Sequence, residues 1–310
     1  MITKRFSLFG RIKGKLIKDP IYGREKIFKV ADEVVNTYIF RPIGWPVAKS
    51  LEKTPVTPNQ LTFVGLLFGI ASGISYFQGG GLYYFLGALF LFIASVLDCA
   101  DGPLARIKNM QSEFGKILEG MADYTVGISA FLGISLSLFR EVEHKSWTFW
   151  AIAITFLILI LIQNIHWDYC KIQFMSIMKN GIFEPAISFE DFCQKHAGLK
   201  YDERKIIGKI SIFFYYLCIH GAEKVLSPTI PYRGKEAKYF NNREKKQYYK
   251  RYNLIMRLWA WNAAKTKIAF IVLCTAINQP VIMINGLLWG FNILWLITLI
   301  THKINFFRGK

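Results

Sequence analysis

Acidic residues are scarce in this sequence: 21 Asp and Glu stand against 39 Lys and Arg, a formal charge of +18. Cysteine is scarcer still. Cys99, Cys170, Cys193, Cys218 and Cys274 show neither C-x2-C spacing nor a compact cluster. This excludes a zinc site or a disulfide framework written into the sequence and predicts free thiols in a reducing compartment. The N-terminal stretch MITKRFSLFGRIKGKLIK has no apolar core of signal-peptide length, so no cleavable leader is expected. Internal repeats and low-complexity tracts are absent as well.

Apolar residues are abundant: 53% of the chain is hydrophobic and 16% aromatic. A charge of +18 alone would suit a nucleic-acid binder. Combined with long apolar runs it points to an integral membrane protein with a basic cytosolic face, and no nucleic-acid partner is expected. Hydropathy predicts six transmembrane helices, over 61–77, 82–97, 114–139, 147–165, 261–277 and 281–301, with Asn59 as the N-cap of the first. With the N-terminus inside, only Arg140 and Lys145 fall in outer loops, and the positive-inside rule sets both termini in the cytosol.

Residues 1–56 hold twelve Lys/Arg interleaved with Phe6, Phe9, Phe28, Phe40 and Trp45, a pattern of amphipathic helices on an anionic membrane surface. Residues 57–171 carry spans 1–4, and 257–310 carry spans 5–6 and a tail. Between them, 172–256 is too long for an ordinary connection. Its segment 206–226 is apolar enough to suggest another crossing. That crossing would export the basic run from Arg233 to Arg251, so the region reads as a cytosolic or interfacial helical insertion. The expected fold is an all-α integral membrane protein.

One stretch breaks the apolar pattern: Asp98, Asp101, Glu119 and Asp123 lie at or just inside the ends of spans 2 and 3. Each ionisable group at membrane depth costs roughly 2.5–3.5 kcal/mol on insertion scales, so these acids read as functional. The i,i+3 and i,i+4 spacings give each pair one helix face. Gly115, Glu119, Asp123 and Gly127 form one stripe, predicted to thin the contact between the two helices. Four acids converging there would make an oxygen-rich pocket for Mg²⁺, Mn²⁺ or Ca²⁺. A cation-coupled transporter could use the same acids, although no pair of broken helices supports one.

Written out, the motif is Asp98-x2-Asp101-Gly102-x2-Ala105-Arg106-x8-Gly115-x3-Glu119-x3-Asp123. It resembles the signature of the CDP-alcohol phosphotransferases, D-x2-D-G-x2-A-R-x8-G-x3-D-x3-D, and departs from it only at Glu119. The segment Thr57-Pro58-Asn59-Gln60-Leu61-Thr62 is also similar to the one that opens the first span in many members. The resemblance implies a membrane-embedded, metal-dependent transfer of a substituted phosphate from a CDP-linked donor to an alcohol acceptor, with release of CMP, in phospholipid or polyol-phosphodiester synthesis. It implies two divalent cations, Mg²⁺ or Mn²⁺, held by Asp98, Asp101, Glu119 and Asp123, with Asp123 as catalytic base. Asn59, Thr62, Gly102, Ala105, Arg106 and Gly115 would hold CDP and phosphate. Lys171, Arg257 and Lys265 are candidates for the acceptor. A homodimer in a prokaryotic cell membrane, with the active site facing the cytosol, is expected. Glu119 leaves open a catalytically impaired member acting as a scaffold.

Overall fold

The structure is a computed structural model, and residues 30–141, 147–183 and 237–307 are described. The segment 206–226 lies outside the described residues, as do Cys193 and Cys218.

Helix α1 is a π-helical turn, Asn36–Phe40, continued by Arg41–Ser50. It is only half a surface helix. Phe40 is buried against Val96 and Cys99, whereas Tyr38, Ile39, Ile43 and Trp45 stay exposed. Gly44 lets it approach the helix beneath: a Cβ there would sit 3.1 Å from the Val96 carbonyl oxygen.

Helix α2, Pro58–Gln78, starts earlier than expected and is capped by Thr57, not Asn59. The Thr57 hydroxyl accepts from Gln60 N–H and the Gln60 side chain accepts from Thr57 N–H, a reciprocal capping box with Pro58 in the first turn. This leaves the Asn59 side chain exposed and uncommitted to the cap.

Helices α3, Gly81–Ile107, and α4, Glu113–Glu141, follow. Both pack along α2, while α3 and α4 meet each other only slightly. The glycine-thinned contact is therefore between α2 and α4, not between the two acid-bearing helices as expected. Gly73 and Gly133 cross so closely that a Cβ on either would collide with the facing backbone. Gly127 plays no part in this contact, because a Cβ there would meet nothing within 4 Å.

Helix α5, Trp147–Asn180, runs well past residue 165. A two-residue antiparallel pair follows, β1 (Ile182–Phe183) with β2 (Lys238–Tyr239), tied by Phe240 N–H to the Gly181 carbonyl at 2.7 Å. Helix α6, Asn242–Trp261, then returns along α5. Phe174, Ile177, Phe183, Tyr252, Met256 and Trp259 form one core, which also takes in Val30 and Ala31. The ends of the expected 172–256 insertion thus belong to helices packed on the rest of the protein.

Helix α7 is Ala264–Ala276. Helix α8 has three contiguous pieces, Pro280–Asn285, a π-helical turn Gly286–Gly290 and Phe291–Phe307. Among the described residues, five helices are long and apolar enough to cross a membrane: α2, α3, α4, α5 and α8. Their outward faces suit lipid, as on α2, where Phe63, Val64, Leu67 and Ile74 are exposed. At 13 residues α7 spans about 20 Å, short of a ~30 Å hydrocarbon core. It packs instead on α3 and carries Lys265 and Lys267 into the interior.

Candidate active site

The acids converge because α2 holds α3 and α4 at a fixed separation. Asp98 and Asp101 sit one turn apart on α3, which continues through Pro103 to Ile107. Glu119 reaches them from α4. One carboxylate oxygen from each of Asp98, Asp101 and Glu119 lies within 4.8 Å of the others. Asp101 is 3% exposed. Its Oδ2 accepts a 2.5 Å hydrogen bond from Thr62, while its Oδ1 is buried with no hydrogen-bond partner. An orphaned carboxylate oxygen beside two more acids is costly when dry. A hard divalent cation would relieve that cost, and an all-oxygen set suits one. The residues present fit such an ion.

Asp123 stands apart from that trio. Lys265 of α7 lies between the groups, its Nζ 2.6 Å from Asp98 Oδ2 and 3.1 Å from Asp123 Oδ1. The lysine is 6% exposed, whereas the side chains of Asp98 and Asp123 are 18% and 44% exposed, so the cation is buried and its acid partners are only partly so. Its backbone is fixed as well: Lys265 N–H donates to Glu33 Oε2 at 2.8 Å. Burial pushes the Glu33 carboxyl above its usual range, opposed by Lys171 and Lys265. The four predicted acids are thus brought together, three as one oxygen cluster and the fourth bonded to an ammonium.

The other predicted residues divide. Thr62 is buried and spends its hydroxyl on Asp101, so it orients an acid of the cluster. Asn59 lies beside the first turn of α4, where a Cβ on Gly115 would fall 3.2 Å from its Oδ1. Gly102 and Arg106 are neighbours on α3, and a Cβ on Gly102 would lie 3.8 Å from a guanidinium nitrogen. Ala105 is half-buried on the same helix. Lys171 lies over the Trp167 ring at 5.6 Å. Arg257 is exposed on α6 and makes no ion pair with the acids among the described residues.

Three contacts had no advance signal. Glu33 sits in a basic segment that reads as membrane-surface helix. Lys267 donates to Asn164 Oδ1 at 3.0 Å and to the Asn262 carbonyl at 2.8 Å, though its charge matches any inner-leaflet lysine. Lys108 donates to the carbonyls of Thr54 and Val56 at 2.6 and 2.7 Å, fixing the linker that leads into α2.

Comparison with known proteins agrees with this arrangement. Over 90 residues the chain is 31% identical to the archaetidylinositol phosphate synthase of Pyrococcus horikoshii, covering 29% of this chain and 46% of the relative. It is 26% identical over 162 residues to the bifunctional IPC transferase and DIPP synthase of Aquifex aeolicus, covering 52% and 35%. It is 29% identical over 135 residues to cholinephosphotransferase 1 of Gallus gallus, covering 40% and 38%. The chain spans less than half the length of each of these relatives. The profile of the CDP-alcohol phosphatidyltransferase family matches residues 55–188, a stretch that contains α2, α3, α4 and all four acids. The likeness to the CDP-alcohol phosphatidyltransferase family thus lies in residues 55–188.

Proposed function

We propose that this protein transfers a substituted phosphate from a CDP-linked donor to the hydroxyl of an alcohol acceptor and releases CMP. The observation that carries the reading is the oxygen cluster of Asp98, Asp101 and Glu119, with its unpartnered Asp101 oxygen, inside the matched domain. Asp98, Asp101 and Glu119 would hold Mg²⁺ or Mn²⁺, with Asp123, bonded to Lys265 through Oδ1, as the fourth acid of the metal site. A divalent ion held by these acids would supply positive charge against the donor's pyrophosphate.

The chain's own groups supply the rest. Thr62 aims Asp101 by its hydrogen bond. Arg106, on the same helix one turn beyond Gly102, offers a planar fork for a phosphate. Gly102 leaves room for the nucleotide to approach α3, and Asn59 lies against Gly115. Asp123 takes the proton of the acceptor hydroxyl as its oxygen bonds to the phosphorus that carries the donor's alcohol. The bond from that phosphorus to the bridging oxygen breaks, and CMP leaves with that oxygen. Lys265, bonded to Asp123 Oδ1, fixes the orientation of the base and offsets the charge of two acids.

The reading sets the domain in a membrane with the acids at its cytosolic side, which the excess of Lys and Arg in inner loops supports. Glu119 favours an active enzyme over an impaired scaffold, because its longer side chain does reach the cluster. The test is CMP release by purified protein, with and without Mg²⁺ or Mn²⁺, from CDP-diacylglycerol, CDP-choline-type and CDP-polyol donors. Release that needs metal and is lost in Asp98→Asn and Asp123→Asn is the expected result. Wild type and Asp123→Asn equally inert with all three donor classes would refute it.

A further inference from the structure

An apolar cavity of ≈ 190 Å³ lies between α4, α5, α7 and α8. Its wall on α4 runs from Asp123 to Leu138, about 22 Å of helix at 1.5 Å per residue. That exceeds the roughly 15 Å half-thickness of a hydrocarbon core. Apart from Ser135, its polar lining groups gather at one end: Asp123, Tyr124, Asn164 and Lys267. The remainder is aliphatic and aromatic, including the packed pair Phe131 and Phe156. Gly127, one turn beyond Asp123, keeps the cavity wide there, since a Cβ would meet nothing within 4 Å.

We infer that this cavity takes the hydrocarbon chain of a lipid alcohol whose hydroxyl lies at Asp123, so that the acceptor brings the membrane-dissolved chain. This rests on the reading of Asp123 as the acceptor's base. Two observations assign the chain to the acceptor and not to the CDP-linked donor. Asp98, Asp101, Glu119, Gly102 and Arg106, the groups that would hold the donor's phosphates, are absent from the lining. Asp123 borders both this cavity and the small pocket that it shares with Thr62, Asp98 and Lys265. A chain in the cavity therefore ends at the base. The head group is also defined. Lys267, the cation of the polar end, already donates to Asn164 and to the Asn262 carbonyl, and the Asp123 carboxylate lines the same end. That balance suits a neutral hydroxyl better than a carboxylate or phosphate.

The experiment uses the full chain in lipid nanodiscs and a long-chain fatty alcohol bearing a photoreactive diazirine and an alkyne handle. Labelled peptides are mapped on wild type, on Gly127→Phe and on Ala153→Phe, which narrow the cavity from α4 and α5; Leu67→Phe, on the exposed face of α2, is the control. Labelling on the cavity walls of α4, α5 and α8 is expected. Unlabelled diacylglycerol should displace it and CDP-diacylglycerol should not. It should be lost in both narrowing variants and kept in the control. Displacement by CDP-diacylglycerol would assign the cavity to the donor and overturn the inference. Labelling spread over outer faces, or unchanged in both narrowing variants, would reduce the occupant to bulk lipid and overturn it too. Labelling as expected in a protein that releases no CMP from any donor keeps the occupant and refutes the role of Asp123, so the two failures are distinct.

Discussion

Replacing Thr62 by valine removes one hydroxyl and little volume, and it tests how the acidic cluster is built. The hydroxyl donates at 2.5 Å to a carboxylate that is 3% exposed and whose other oxygen has no partner. A hydrogen bond to a charged group contributes about 1.5–3 kcal/mol, and losing it strands both oxygens of Asp101. Metal-free Thr62→Val is therefore expected to lose stability on that scale. The larger consequence is orientational. With Oδ2 held by Thr62, the orientation of the Asp101 carboxylate is fixed; released, the carboxylate is free to rotate. Removing such a supporting partner typically weakens metal binding by about 10- to 100-fold. Mn²⁺ titration followed by electron paramagnetic resonance reads the affinity, and CMP release against Mn²⁺ concentration reads its consequence. Thr62→Ser keeps the hydroxyl and should behave as wild type in both. Unchanged Mn²⁺ affinity in Thr62→Val, with a raised KM for the CDP-linked donor, would refute this argument and return Thr62 to the nucleotide.

Three other perturbations follow from the same geometry. Glu119→Asp withdraws the carboxylate by about one C–C bond, roughly 1.5 Å, so weaker Mn²⁺ binding and slower CMP release are expected; a gain in either would favour the impaired-scaffold reading. Lys265→Met leaves the partly exposed Asp98 and Asp123 without their cation, so a loss of stability is expected in metal-free protein. Excess Mn²⁺ should offset that loss more in the variant than in wild type, and thermal unfolding with and without metal checks both arms. Glu33→Gln keeps an acceptor for Lys265 N–H and removes the titration. The native state holds the Glu33 proton more tightly than the unfolded chain does. Wild-type stability should therefore fall as pH rises above the usual carboxylate range toward the elevated native value, and the fall should be smaller in the variant.

The parts of this molecule legible in the sequence are those encoded by short-range spacing. Pairs at i,i+3 and i,i+4 put Asp98 with Asp101 and Glu119 with Asp123, and of the six expected spans five coincide with helices long and apolar enough to cross a membrane. The parts that were not legible join residues far apart in the chain. Thr62 meets Asp101 across 39 positions, and the Glu33 carboxylate meets Lys265 across 232. Lysines at the inner ends of spans are expected from membrane topology alone, so nothing local separates Lys265 from Arg257. The cap of α2 is a different case. The reciprocal pattern Thr57-x-x-Gln60 is present in the sequence, but Asn59 competes for the role. Pro58 decides it, because a proline fits the first helical position directly after Thr57.

The glycines and Glu119 share one explanation. A stripe of Gly115, Glu119, Asp123 and Gly127 suggests two helices pressed together, yet α2 packs between α3 and α4, and the close crossing is Gly73 with Gly133. Helices kept apart by a third cannot bring short side chains together at will. On α3 two aspartates occupy neighbouring turns of one face; from α4 a single side chain must cover the remaining distance, and glutamate is one methylene longer. The departure from aspartate at 119 is thus what the separation of α3 and α4 calls for, since with glutamate the oxygens close to within 4.8 Å. Asp123, one turn deeper, stays short, and its gap is taken up by Lys265. The same spacing leaves Gly127 facing open volume instead of a neighbouring helix, so the wedge that shapes the cluster also leaves the α4 face beyond Asp123 free to line the cavity.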